Sequence, residues 1–288
     1  MLDLFRIQRV KILELNKISK IFGYGGAATV ALDEVSLQIE RGEFVAIMGP
    51  SGSGKTTLLN IIGLLDAPTL GSCSLSGQSI IGFSARRRAK IRREQIGFVF
   101  QSFNLLPNMS VLENVALPLA YSGKPYAKRL NMASDMLERL GIRKKEYLLP
   151  RQLSGGQIQR AAIGRALVNN PSIVVADEPT GNLDSESSDS IMRLLKDIHE
   201  AGNTILMVTH NPELTRYATR VIYMKDGQIR IDQELKKTQQ VDLTKVQDVV
   251  RKEDKSRSPR RRSSAIRNNP ERNRLRRLMR SRNSKENE

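Results

Sequence analysis

The sequence predicts an α/β fold built on a largely parallel sheet, and three observations carry that expectation. Short apolar runs of strand length recur along the chain, with helical patterns between them. One run opens directly into a Gly/Ser-rich loop and then a helix, the order of a strand–loop–helix unit. At 288 residues, with 39% hydrophobic and 27% charged residues, the chain can bury a sizeable core.

Taken in order, residues 10–15, 30–32 and 35–39 read as short strands around the turn-rich stretch Phe22-Gly23-Tyr24-Gly25-Gly26. Residues 44–48 are a continuous apolar run, 49–54 the Gly/Ser-rich loop, and 56–65 carry helical spacing. Further buried strands are expected at 96–100, 173–176, 204–208 and 220–224. Residues 102–166 hold helix signals and no convincing strand, so a helical subdomain inserted into the sheet framework is expected there. His199, followed by Ala-Gly, reads as a helix C-terminal residue. No internal repeat is present, which excludes a solenoid.

Composition narrows the function classes. No apolar run approaches the roughly 18 residues of a membrane span, and charge interrupts the first residues too often for a signal-peptide core, so a cytoplasmic chain is expected. Cys73 is the only cysteine, which excludes an internal disulfide and a cysteine-built metal site. The net charge of +17 is unevenly spread. Residues 251–288 hold fifteen Lys or Arg against five Asp or Glu, a surplus of ten, and residues 1–250 keep the remaining +7.

The segment Gly49-Pro50-Ser51-Gly52-Ser53-Gly54-Lys55-Thr56 fits G-x-x-x-x-G-K-[ST] between a strand and a helix. Its glycines let successive N–H groups turn onto one anion while the helix dipole points at the same place, so a phosphate is the natural occupant. Lys55 would reach the β/γ-phosphates, the Thr56 hydroxyl would bind Mg²⁺, and Thr57 would support them. Asp177-Glu178 ends the run 173–176, at the sheet edge where α/β proteins place their chemistry. Asp177 would hold Mg²⁺, usually through water, and Glu178 would orient or deprotonate the attacking water. His210 and Gln101 each follow a strand: the first could sense the γ-phosphate, the second could place its amide oxygen on the metal.

Leu153-Ser154-Gly155-Gly156-Gln157, followed by Arg160, is a second loop-to-helix anion site. It resembles the signature of the ABC family of ATPases. That resemblance, covering about 11–232, implies a P-loop NTPase with a RecA-like core sheet, an antiparallel β subdomain and an inserted α-helical subdomain at about 102–166. It implies ATP and Mg²⁺ as ligands, ATP hydrolysis coupled to transport, Gln101 as the Q-loop residue, Gly181-Asn182-Leu183-Asp184 as the D-loop and His210 as the switch histidine. It also implies a head-to-tail pair of copies in which Ser154, Gly155, Gly156 and Gln157 face the phosphate loop of the other copy. Phe22 stands where the adenine-stacking aromatic is expected, with Tyr24 as the competitor.

Within the family, IGFVFQSFNLLPNMSVLENVALPLAYSG and DEPTGNLDS resemble the ATPases of the macrolide-exporter and lipoprotein-releasing type. This implies a separate transmembrane permease as partner, a place on the inner face of the cell membrane, and export or extraction as the work done. Ile158 and Gly164 depart slightly from the pattern; a helix-interior Gly costs up to about 1 kcal/mol against Ala. The expected organisation is a cassette at 1–232, a linker at 233–250 and a basic tail at 251–288 whose few apolar residues suit disorder. Leu275, Leu278 and Met279 share helical spacing amid arginines, so the tail could contact an anionic membrane or nucleic acid. A soluble ABC ATPase acting on nucleic acid or ribosomes is the second expectation. A regulator that pulls on a membrane partner to control an extracytoplasmic enzyme is the third.

Overall fold

The computed structural model describes residues 10–23 and 28–235, which leaves Tyr24 and the expected tail outside the described residues. The chain opens with two long strands, β1 at Lys11–Phe22 and β2 at Thr29–Glu40. The separate runs expected at 30–32 and 35–39 are one strand, interrupted by a register shift where Glu34 takes φ of 50°. The break is bridged: Glu34 N–H donates to Ser19 Oγ at 3.0 Å and Asp33 N–H to the Gly227 carbonyl at 2.9 Å. Beyond it, buried Val35, Leu37 and Ile39 alternate with exposed Ser36 and Gln38, the pattern of a sheet with one face on the core. The run expected at 10–15 likewise extends through Phe22, because bulges break its alternation.

Next come β3 at Phe44–Met48, α1 at Lys55–Ile62, and the two strands β4 (Leu70–Leu75) and β5 (Gln78–Ser79), neither of which the sequence reading found. Leu-Gly-Ser-Cys-Ser-Leu is short and half polar, so only its pairing with β1 makes it a strand. These elements form a four-stranded antiparallel sheet in the order β2-β1-β4-β5.

The second sheet holds the chemistry. Its strands are β6 (Ile96–Val99), β7 (Ile173–Asp177), β8 (Ile205–Val208), β9 (Arg220–Lys225) and β10 (Gln228–Glu234), with β3 in the middle, ordered β10-β9-β3-β8-β7-β6. From β9 to β6 all pairs are parallel. The continuous apolar runs of β3, β7 and β8 follow from burial on both faces. β10 returns antiparallel to β9 through Asp226-Gly227, both at positive φ. That Asp-Gly pair was the available hairpin signal for a strand the sequence reading missed.

Among the described residues, 102–166 contain no strand. α2 (Ala85–Gln95) precedes β6, and α3 (Val111–Ala120), α4 (Tyr126–Arg139) and α5 (Gly155–Leu167) follow it. Ser110 and Glu113 close a capping box at the start of α3. α5 packs on α3 and α4 on one side and on β6 and α6 (Ser185–Glu200) on the other, so it ties the helical group to the sheet.

Candidate functional site

Because β3, β8 and β7 are adjacent and parallel, the loops that follow them leave from one edge of the sheet. Those loops begin with Gly49, Thr209 and Glu178, which places the phosphate loop, His210 and the acid pair together. The loop after β3 requires glycine at both ends. Gly49 has φ of 151°, and a Cβ there would collide with the Met224 carbonyl. Gly54 caps α1 at φ of 96°, where a Cβ would lie 2.5 Å from the Ala31 carbonyl.

Lys55 is buried at the start of α1, and its Nζ donates to the carbonyls of Gly49 at 2.8 Å and Pro50 at 2.9 Å, with Ser53 Oγ 3.5 Å away. Burial pulls its ammonium below the usual lysine range, while Glu178 and Asp177 pull the other way. Thr56 and Thr57 follow in the first turn, whose N–H groups have no partner within the helix. Ser51 and Gly52 form the tip, and Gly227 N–H donates to the Ser53 carbonyl at 3.1 Å, tying the β9–β10 hairpin to the loop.

Asp177 is the last residue of β7; burial lifts its carboxyl above the usual aspartate range, Glu178 adds to that, and Lys55 opposes it. Glu178 takes φ of 45°, and its N–H donates to the Val208 carbonyl at 2.9 Å. Its Oε1 lies 3.0 Å from Nδ1 of His210, an exposed ring. Lys55, Asp177, Glu178 and His210 therefore form one electrostatic cluster at the sheet edge.

Gln101, two residues past β6, meets the loop after β7 instead. Its Nε2 donates to Asn182 Oδ1 at 3.4 Å, and Asn182 Nδ2 returns a bond to the Gln101 carbonyl at 3.1 Å. A Cβ at Gly181 would lie 2.6 Å from Gln101 Nε2, so glycine is what allows this approach.

Ser154 caps α5 and exchanges bonds with Gln157: Gln157 N–H donates to Ser154 Oγ at 3.4 Å, and Ser154 N–H to Gln157 Oε1 at 3.2 Å. Gly155 packs against Leu183 and Gly156 against Ser187. Asp184 caps α6, accepting from Ser187 N–H at 2.8 Å and Ser187 Oγ at 2.9 Å, bonds that hold its carboxyl below the usual range. The signature residues and Asp184 thus share one surface. Among the described residues no hydrogen bond joins them to 49–57. Arg160 braces the frame, donating to the Leu140 carbonyl and to Ser190 Oγ. Phe22 is 46% exposed at the end of β1, with Lys20 Nζ 5.0 Å from its ring centre.

Two features escaped the sequence reading. One is the left-handed backbone of Glu178. The other is Gln159, fully buried in α5, whose Nε2 donates to the Pro179 carbonyl at 2.6 Å while its Oε1 has no partner. A second glutamine two residues past Gln157, beside Ala161 and Ala162, was the sequence signal for it.

Residues 32–181 match the family model described as ABC transporter. The chain is 47% identical over 223 residues to the macrolide export ATP-binding/permease protein MacB of Aggregatibacter actinomycetemcomitans, a match covering 77% of this chain and 35% of that protein. It is 49% identical over 218 residues to an uncharacterized ABC transporter ATP-binding protein, MJ1508, of Methanocaldococcus jannaschii, covering 76% of this chain and 97% of that one. Among solved structures, the dimeric post-hydrolysis state of the ATP-binding cassette MJ0796 bound to ADP and Pi superposes with a TM-score of 0.72 at 43% identity. That superposition covers 78% of this chain and 99% of that one. The match spans about a third of the MacB relative and nearly the whole of the MJ1508 relative. The chain belongs to the ABC transporter family and carries its ATP-binding cassette.

Proposed function

We propose that this cassette binds ATP with Mg²⁺ and hydrolyses it as the motor of a transporter whose membrane-spanning permease is a separate polypeptide. The observation that carries the hydrolytic reading is the Glu178–His210 pair, 3.0 Å apart, standing at the same sheet edge as the Lys55 loop. Lys55 would exchange the Gly49 and Pro50 carbonyls for β- and γ-phosphate oxygens, while the free N–H groups of the first α1 turn bind the same phosphates. Glu178 would hold the attacking water in line, and His210 would hold the Glu178 carboxylate in place.

The residues present suit Mg²⁺. Its preference for a few oxygen ligands plus water is matched by the Thr56 hydroxyl, the Asp177 carboxylate and the Gln101 amide oxygen. Asp177, raised by burial and then by Glu178, forms with Glu178 an acid pair whose repulsion a cation would relieve. When bound, the ion would neutralise charge on the phosphates.

Two copies would act head to tail, with Ser154, Gly155, Gly156 and Gln157 of one presented to the nucleotide held by the other and Asp184 at the joint. The dimeric MJ0796 cassette supports this arrangement, and the naming of MacB as an ATP-binding/permease protein supports the permease. Phe22 would stack on adenine, the surface around residues 101–121 would meet the permease, and the cassette would work at the cytoplasmic face of the membrane in export or extraction. Among the described residues no helix is long and apolar enough to cross a membrane.

The test is size-exclusion chromatography with light scattering on the Glu178→Gln variant. ATP with Mg²⁺ is expected to convert monomer to dimer, and ADP is not. A variant that binds ATP and stays monomeric overturns the paired site. Co-purification of one membrane-spanning protein from solubilised membranes supports the permease; recovery of ribosomes or nucleic acid instead overturns it.

A further inference from the structure

The two members of the Glu178–His210 pair are held to different degrees. Glu178 is fixed by its N–H bond to Val208, whereas the His210 side chain is 68% exposed, with Glu178 as its recorded polar partner among the described residues. Where the ring sits therefore depends on the backbone that carries it. Upstream, the sheet fixes that backbone: Thr209 N–H donates to the Ile47 carbonyl at 3.1 Å, and Asn211 N–H donates to Thr209 Oγ1 at 3.0 Å. Downstream, it runs into a 3₁₀ turn, Pro212–Tyr217, capped by Asn211, whose side chain accepts from Glu213 N–H at 2.9 Å.

The far end of that turn is bolted to α6 through one carboxylate. Asp189, in the second turn of α6, accepts at Oδ1 from the Tyr217 hydroxyl and from Arg216 Nη2 at 3.0 Å, and at Oδ2 from Arg193 Nη2 at 2.5 Å. Arg216 also donates to the Tyr217 hydroxyl oxygen at 3.2 Å, so the four side chains form one network. The Tyr217 hydroxyl first, and Arg193 after it, hold the Asp189 carboxyl below the usual aspartate range. Asp189 is 31% exposed, where a single ion pair adds little to stability. Three donors converging on one carboxylate fix its position instead.

α6 is also held from the side of the signature helix. Arg160 of α5 donates to Oγ of Ser190, the neighbour of Asp189, at 2.7 Å. Nearer the start of α6, Ser187 packs against Gly156 and bonds to Asp184. Residues 184–190 therefore join the surface that carries the signature to the turn that follows His210.

We propose that Asp189, with Tyr217 and Arg216, is a positioning unit for His210: it sets the turn 212–217 against α6 and so keeps the imidazole at Glu178. The proposal rests on the reading of the Glu178–His210 pair as the hydrolytic site and adds the residues that hold its exposed member in place. Asp189 meets neither nucleotide nor water in this role and acts through His210. A misplacement on the order of 1 Å at a reacting group can cost about 100-fold in rate, so a small tilt of the turn is enough to be read in turnover. Because α6 starts at Asp184 on the signature surface, the place of His210 depends on how that helix is held.

The experiment measures phosphate release and the KM for ATP in the full chain carrying Asp189→Ala, Asp189→Asn or Tyr217→Phe, each alone and, by single turnover, combined with His210→Ala. Asp189→Ala is expected to lower kcat about tenfold with KM changed by less than about twofold. Asp189→Asn keeps an acceptor oxygen in place and is expected to recover most of that loss. Tyr217→Phe keeps the ring packed and is expected to lower kcat about threefold. In the His210→Ala chain the same changes are expected to lower turnover no further, because the group they position is gone. A further loss by the same factor in that chain assigns the network to the fold alone and overturns the proposal. A KM that rises with kcat unchanged, or full turnover in Asp189→Ala, overturns it as well. Should Asp189→Ala not fold, Tyr217→Phe with and without His210→Ala decides in the same way. If His210→Ala by itself keeps full turnover, the hydrolytic role of the pair falls, and this proposal falls with it.

Discussion

Glu178 combines an exposed task with a costly backbone. At φ of 45° a non-glycine residue carries strain of about 1–3 kcal/mol, here held by its N–H bond to Val208 and by Gly181 N–H donating to its own carbonyl at 3.0 Å. Such strain persists only where the surroundings over-determine it, and the result aims the carboxylate at His210. Replacing Glu178 by Gln keeps the shape and removes the charge; hydrolysis is expected to fall at least about 100-fold with nucleotide affinity little changed, measured by phosphate release and by binding of a fluorescent ATP analogue. Cys73 is the opposite case. Burial in the sheet β2-β1-β4-β5 pushes its thiol up to about 12, so at pH 8 it is neutral and shielded. Iodoacetamide is expected to leave the folded chain unmodified and to alkylate Cys73 quickly in denaturant, read by intact mass; rapid labelling of the native chain would contradict the burial.

Elements carry the connections between sites. Gln159 joins the signature helix α5 to the turn after β7, one residue past Glu178. Gln159→Leu preserves volume but removes the bond to Pro179, so stability is expected to drop by about 1–3 kcal/mol. Turnover should fall more than the nucleotide KM rises, because the turn positions Glu178 rather than the base or the phosphates. Equal effects on both would assign Gln159 to packing alone. Asn114 does comparable work in α3: fully buried, it donates to the carbonyls of Leu106, Met109 and Ser110 and accepts from Leu106 N–H at 2.7 Å. Asn114→Leu removes the side-chain bonds that tie the segment 106–110 to α3, and faster hydrogen exchange over residues 104–110 is the expected signature. Gly97 marks where β6 meets α5. A Cβ there would sit 2.5 Å from the Ala166 carbonyl, a backbone atom that cannot swing aside, so Gly97→Ala is expected to cost about 2 kcal/mol or more in urea denaturation.

For the whole molecule, binding and stability are one measurement. A ligand that binds only the folded chain stabilises it by about 2.7 kcal/mol at a hundred times its Kd. ATP is therefore expected to raise the Tm of the native chain, and Lys55→Ala to abolish the rise while leaving the nucleotide-free fold in place. Loss of the fold itself in that variant would show that the bonds from Lys55 to Gly49 and Pro50 hold the loop together.

Residues 44–48, 173–176 and 49–56 were legible without coordinates, because a strand buried on both faces is a run of apolar residues and a phosphate loop needs glycines at fixed places. The candidate site was equally local: Asp177, Glu178 and His210 each stand at the end of an apolar strand, and Lys55 opens the helix after the glycine-rich loop. What escaped were the elements that depend on a neighbour. β4 and β5 are strands because β1 pairs with β4, and β10 because β9 lies beside it, while the bulged β1 and β2 hide their length in broken alternation. Gln159 under Pro179, Gln101 against Asn182 and Asp189 against Tyr217 are meetings of residues far apart in sequence. Residue type and spacing determined which groups the chain has to work with, because those patterns repeat over a few residues. Only tertiary packing decided which of them touch, because contact depends on how sheet and helices close on one another.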